Sequence, residues 1–190
     1  MTRRTWHTCQ PVDLHRLARR WFIGAKRIEL QKLAVELGIS RATAYRWAGS
    51  AEQLVGSVLA ALVDDTFHQI LKHTGQSRGN KRLLEVLARF MDNTLRFQPL
   101  RQFLKRDAQL GLKIVASNSS PVRRQTVDNL RKLLEEEIRS GHMALTEEPA
   151  VIACALTRII ESFLYMDLTT GDTPDLKNAS VIQDLILRQG

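Results

Sequence analysis

Residues 30–47 read Leu30-Gln-Lys-Leu-Ala-Val-Glu-Leu-Gly-Ile-Ser-Arg-Ala-Thr-Ala-Tyr-Arg-Trp47. Leu30, Leu33, Ala34 and Leu37 recur at helical spacing over a short segment. Gly38 follows, and glycine is the residue that most readily turns left-handed after a helix. Ser40 is then placed to cap a third short helix over about 41–47. Ala34 is small where two helices must cross closely, and Ile39 and Ala44 are placed to fill the space between them. The rest of the third helix is left to point outward: Arg41, Ala42, Thr43, Tyr45 and Arg46. A helix of two turns carrying such residues fits the major groove of DNA, about 12 Å wide.

The surrounding composition agrees. The chain has 190 residues, 28 Lys+Arg against 20 Asp+Glu and a formal charge of +8. Hydrophobic residues are 44% and charged residues 25%. This is ordinary globular composition, which excludes a disordered chain, a collagen-like repeat and a disulfide-stapled miniprotein. Residues 1–50 hold 10 Lys+Arg and 3 Asp+Glu, leaving 18 and 17 for residues 51–190. Nearly all the excess charge therefore sits in the first quarter. That split predicts a basic module facing a polyanion and a near-neutral body. Nucleic acid is the leading partner, ahead of an anionic membrane surface or a merely solvated basic face. The uncharged apolar runs read as shorter than the roughly 18 residues a membrane span needs. The basic start Met1–His7 is followed by no apolar segment and does not read as a secretory signal. Cys9 and Cys154 have no metal or redox spacing, and Cys154 is expected to be a buried thiol on a helix. These features predict a reduced, cytoplasmic protein.

The whole chain reads as helices, about nine of them, and nothing reads as a strand. Leu14, Leu17, Ala18, Trp21 and Phe22 mark the first. After the segment quoted above, Ser50 with Gln53 opens a long helix over about 51–72, which spans about 33 Å. Gly75–Gly79 is a polar break, and 80–97 carries Leu83, Leu84, Leu87, Phe90, Met91 and Thr94 on one face. A further helix is expected over about 100–116. Ser120-Pro121 starts the next, which runs to Gly141. Thr146 is expected to cap a helix reaching Gly171, and Thr173-Pro174 to open a last one ending near Arg188.

The helix–turn–helix segment resembles that of the TetR family of bacterial transcriptional regulators. That family reads roughly Gly-Tyr-x-x-Thr-Thr-Val-x-x-Ile-Ala-x-x-Ala-Gly-Val-Ser-x-Gly-Thr-Leu-Tyr-x-x-Phe. Gly24, Leu30, Leu33, Ala34, Gly38, Ile39, Ser40, Thr43 and Tyr45 fall in register. The specific likeness covers about residues 12–62, and the chain as a whole is similar to the QsdR-like branch. Three departures stand out. Glu29 replaces the usual Thr or Ser cap, Ala48 replaces Phe, with Trp47 placed to fill its space, and Ala51 replaces a common Lys.

The resemblance implies an all-α, TetR-like fold. Residues 1–50 would form the helix–turn–helix DNA-binding domain, and residues 51–190 a helical effector-binding and dimerisation domain. It also implies a repressor that a small-molecule effector releases from a palindromic operator. The DNA-contacting candidates are Ser40, Arg41, Ala42, Thr43, Tyr45, Arg46 and Trp47, with Trp47 also suited to packing and either arginine open to a plain solvated role. Arg3 and Arg4 are placed either to reach an adjacent groove as an arm or to belong to a disordered tail. Because a two-turn helix reads few bases, a symmetric dimer is expected. Its surface is expected on the last two long helices. The candidates are Val151, Ile152, Ala155, Leu156, Ile159, Ile160, Phe163 and Leu164, with Val181, Ile182, Leu185 and Ile186; the alternative is a helix central to a monomeric bundle. Effector-pocket candidates are Phe90, Thr94, Phe97, Phe103, Asp107, Arg158, Ser162 and Tyr165. Arg158 and Glu161 are expected chiefly to pair with each other or across the dimer.

The sequence leaves two other functions to consider. The histidines His7, His15, His68, His73 and His142 show no metal-ligand spacing, and no P-loop, nucleophile elbow or dinucleotide fingerprint is present. No metal or cofactor is therefore expected, and a helical enzyme is the remote alternative. A non-specific architectural DNA binder is the other, and the large near-neutral body argues against it.

Overall fold

The computed structural model describes residues 9–188. Arg3 and Arg4 lie outside the described residues. Every regular element among these is helical, and the chain divides into two compact units, residues 1–58 and 59–190.

In the first unit, α1 (Pro11–Ile23) opens with Pro11 in its first turn and with the Asp13 carboxylate accepting the Gln10 N–H at 2.9 Å. Helix α2 (Leu30–Leu37) ends at Gly38, whose φ of 66° is the left-handed turn expected there. Glu29 supplies no side-chain cap and instead pairs with Lys32 at 2.8 Å. Helix α3 (Arg41–Ala48) is capped by Ser40, which accepts the Thr43 N–H at 3.0 Å. Leu14, Leu17, Ala18, Phe22, Leu30, Leu33, Ala34 and Ala44 are the buried heart of this unit. The long helix α4 (Ala51–His73) begins in it, with Ser50 accepting the Gln53 N–H at 3.0 Å, and continues into the second unit. An 18-residue stretch of it reaches a mean hydropathy of 1.3, enough by length and composition alone for a membrane crossing, although Asp64 and Asp65 interrupt its apolar run and keep the uncharged stretch as short as expected. Leu54, Val55, Val58, Leu59, Phe67 and Ile70 are buried in packing instead.

The second unit adds α5 (Gly79–Arg96), α6 (Gln98–Arg106), α7 (Ala108–Ala116), α8 (Pro121–Arg139), α9 (Pro149–Leu164), α10 (Met166–Thr169) and α11 (Leu176–Arg188). Helix α8 packs along α9, and α11 lies against α5 and α9. Leu83, Leu87 and Met91 from α5 meet a core of Leu104, Leu130, Leu134, Leu156 and Ile160. The rings of Phe67 and Phe90 lie 4.6 Å apart and stitch α4 to α5.

Eleven helices among the described residues replace the nine expected. The single helix expected over 100–116 breaks at Asp107, whose carboxylate caps α7 by accepting the Leu110 N–H at 3.1 Å. The helix expected to reach Gly171 stops at Leu164 and is followed by the short α10. Thr146 is not its cap, because α9 starts three residues later at Pro149. Nor does Thr173 cap α11: the Asp175 carboxylate accepts the N–H groups of Lys177 and Asn178, both at 3.1 Å. Cys154, expected to be buried, is exposed on α9.

Candidate nucleic-acid interface and effector unit

The eight residues of α3 fall into four rows one turn apart. Ala44 is fully buried and Ala48 is half-buried, so this row faces the unit's core. Ala42 and Arg46 form the opposite row, and both are exposed. Arg41 and Tyr45, also exposed, make one flank; Thr43 and Trp47, both half-buried, make the other. The Ser40 and Thr43 hydroxyls are 2.9 Å apart, which ties the start of the helix to its own cap. Ala48 is too small to fill the interhelical space that a Phe would, and half-buried Trp47 stands beside it.

Charge completes this surface. Many arginines of the second unit are engaged: Arg82, Arg89, Arg96, Arg101, Arg123 and Arg131 each meet a carboxylate. Arg41 and Arg46 meet none among the described residues. Arg20 and Arg27 are likewise exposed in the first unit. The excess of basic residues was their only sequence signal. A free guanidinium keeps its full donor fork for an external anion or a base edge.

The expected dimer residues divide by burial. Ile152 and Leu156 point into the subunit core, as do Ile160 and Leu164, because they lie on the side of α9 that packs within the unit. Outward on α9 lie Val151, 52% exposed, and Cys154; Ala155, Ile159 and Phe163 are half-buried. On α11, Val181, Ile182 and Leu185 are 58%, 40% and 56% exposed, and Ile186 is half-buried. These two neighbouring helices hold half of the large hydrophobic side chains exposed among the described residues.

The expected effector residues divide too. Phe90, Phe103 and Tyr165 are buried in the second unit, Thr94 and Phe97 half-buried. The Thr94 hydroxyl donates back to the Phe90 carbonyl at 2.7 Å. Burial, and then the charge of Glu161, push the Tyr165 phenol above its ordinary value. Asp107, Arg158 and Ser162 are exposed and are not part of this interior. Arg158 donates to Asn118 at 2.8 Å and stands 3.7 Å from Glu161. The closer partner of Glu161 is Arg123 of α8, at 2.5 and 2.7 Å. Sequence spacing could not reveal this pair, since 38 residues separate its members. The buried pairing of Arg82 with Glu137, and that of Arg101 with Asp167, escaped it for the same reason.

Comparison with known proteins agrees with this architecture. The family model described as Tetracyclin repressor-like, C-terminal domain, matches residues 78–188. No curated protein matches the sequence. Among solved structures, the chain is similar to the transcriptional repressor QsdR of R. erythropolis. The two share 25% identity over 94% of each chain, with a TM-score of 0.86. The TetR-family repressor AlkX from Dietzia sp. aligns with a TM-score of 0.65 at 17% identity, over 95% of this chain and 94% of its own. FadR from Bacillus subtilis, solved in complex with stearoyl-CoA, aligns at 0.53 and 11% identity, over 95% of this chain and 100% of its own. The latter two likenesses concern the fold. With its C-terminal unit matched by the family model and its helices in the family's arrangement, this chain belongs to the TetR family of transcriptional regulators.

Proposed function

We propose that this regulator is a cytoplasmic homodimeric repressor that holds a palindromic operator and releases it when a small molecule binds its C-terminal part. The observation that carries the reading is the outer surface of α3. Arg41, Ala42, Tyr45 and Arg46 stand exposed, with neither guanidinium group paired with a carboxylate among the described residues, opposite a row anchored by buried Ala44. Residues 1–50 are the DNA-binding part, with Ser40, Thr43 and Trp47 shaping the helix and its flank. Residues 51–190 hold the effector and the dimer surface.

The dimer surface is the exposed apolar face of α9 and α11, centred on Val151, Ile159, Phe163, Val181, Ile182 and Leu185. A second copy of this chain covers it, because a two-turn helix needs a symmetry mate to reach useful affinity. The effector sits in the interior lined by Phe90, Thr94, Phe97, Phe103 and Tyr165, apolar walls with a few polar groups. Helix α4 contributes residues to both units and is the element through which occupancy reaches α3. The similarity to QsdR, a repressor, supports the sign of regulation.

Fluorescence anisotropy with the duplex upstream of the gene, at two salt concentrations, tests this. Binding is expected to be at least ~10³-fold tighter than to a scrambled duplex. The Arg41→Ala/Tyr45→Ala double variant is expected to lose it. Equal binding to both duplexes with a steep salt dependence would mark an architectural binder and overturn the reading.

A further inference from the structure

The four rows of α3 do not have equal access to a groove. A helix lying in the major groove turns the row opposite its own core toward the base edges, and its two flanking rows toward the walls, where the phosphates are. Here the row opposite Ala44 and Ala48 is Ala42 with Arg46. It holds a small apolar group and a guanidinium with no acidic partner among the described residues. The Arg41–Tyr45 row carries donors suited to phosphate oxygens, and on the other flank the Thr43 hydroxyl lies 2.9 Å from Ser40.

From this division we infer that Arg46 and Ala42 are the residues that determine sequence, and that each operator half-site carries a guanine read by Arg46 and a thymine read by Ala42. The inference rests on the reading of α3 as the recognition helix and assigns the bases it selects. Arginine matches the O6 and N7 acceptors of guanine with two parallel hydrogen bonds, and the alanine methyl packs on the thymine C5 methyl. Ala42 and Arg46 are about 6 Å apart along the axis, close to two base steps of about 3.4 Å. The two selected bases therefore lie within about two base pairs of each other. Arg41 and Tyr45 hold phosphates and set affinity without choosing sequence.

The test is selection of binding sites from a pool of random duplexes by the full-length protein, its Arg46→Lys and Arg46→Ala variants, and Arg41→Ala. The wild type is expected to select a palindrome with one strongly preferred guanine and a nearby thymine in each half. Arg46→Lys keeps the charge but loses the planar fork. It is expected to lose roughly tenfold to hundredfold discrimination at that guanine, with the preferences at the other positions of the half-site kept. Arg46→Ala is expected to do the same and to weaken all binding. Arg41→Ala is expected to weaken every sequence about equally and to lower the salt slope by about 0.9. A wild-type palindrome whose guanine preference survives in both Arg46 variants overturns the assignment while leaving the repressor reading intact. Loss of base preference in Arg41→Ala also overturns it. A wild type that selects no sequence overturns both readings.

Discussion

The Glu137 carboxylate accepts the backbone N–H of Gly79 at 2.6 Å, joining the C-terminal end of α8 to the first residue of α5. Only 1% of the Glu137 side chain is exposed. Arg82 donates to it at 2.5 Å, and the His142 ring stands 3.5 Å away. Gly79 adopts φ 56°, and a Cβ there would meet the His142 carbonyl oxygen at 2.5 Å. Gly79→Ala therefore combines backbone strain with a clash against the main chain. Glu137→Ala strands the half-buried Arg82 and the Gly79 N–H. Removing one partner of such a pair costs about 3–5 kcal/mol. Urea denaturation followed by circular dichroism is expected to show a loss of that size for Glu137→Ala, and an unchanged midpoint would refute the lock.

The same carboxylate sets an acid limit. Burial pushes Glu137 up, but the Gly79 N–H, Arg82 and His142 outweigh it and hold the group below the ordinary carboxylate range. Its unfolded form takes up a proton near pH 4.3, before the folded form does. Between those two values the unfolded state binds more protons, so stability falls as pH falls. The contribution is full above about pH 5 and fades through the folded value. Glu137→Gln cannot titrate. Its urea midpoint is expected to be lower at pH 7 and to decline less steeply from pH 5 to 3 than that of the wild type. Parallel declines would mean that other carboxylates carry the acid sensitivity.

In the first unit, α1 ends on a left-handed alanine. Ala25 has φ 54°, the one positive value outside glycine among the described residues. The Lys26 N–H closes back onto the Trp21 carbonyl at 2.8 Å, so the turn is fixed by the chain on both sides. A left-handed non-glycine residue costs on the order of 1–2 kcal/mol. Glycine removes that strain and gives back part of it as backbone entropy. Ala25→Gly is expected to stabilise this unit by about 1 kcal/mol. Tryptophans stand at positions 6, 21 and 47, so fluorescence during urea unfolding reports on it. A lowered midpoint would contradict the account.

What could be read from the sequence follows from the range of the forces involved. Ser40, Gly38, Ser50 and Ser120 act on backbone groups within three or four residues, and their roles were visible in spacing alone. Thr146 and Thr173 have the right chemistry in the wrong place. One helix starts at Pro149 with no side-chain cap, and Asp175, a stronger acceptor, caps the other. The outward face of α3 was legible because small residues and a turn leave it no other direction. The split of α9 was not. Its hydrophobic residues run nearly all round, so period alone does not separate Leu156, which faces the core, from Val151, which faces out. The long-range pairs Arg123–Glu161 and Arg82–Glu137 leave no trace in local spacing either.

That split makes the proposed dimer surface testable against the subunit core. Val151 and Leu185 are more than half exposed in the single chain, whereas Leu156 is fully buried. Two carboxylates placed on a face that a second copy must dehydrate cost far more in the dimer than in the monomer. Val151→Asp/Leu185→Asp is therefore expected to shift sedimentation at micromolar protein from dimer to monomer with its helical circular dichroism retained. Because one recognition helix binds weakly, the same variant is expected to lose operator binding. Leu156→Ala acts the opposite way. It removes about 2–5 kcal/mol of subunit stability through the cavity left behind, and the folded protein remains a dimer. A double aspartate variant that remains a dimer would place the interface elsewhere, and a wild type that sediments as a monomer would overturn the dimer itself.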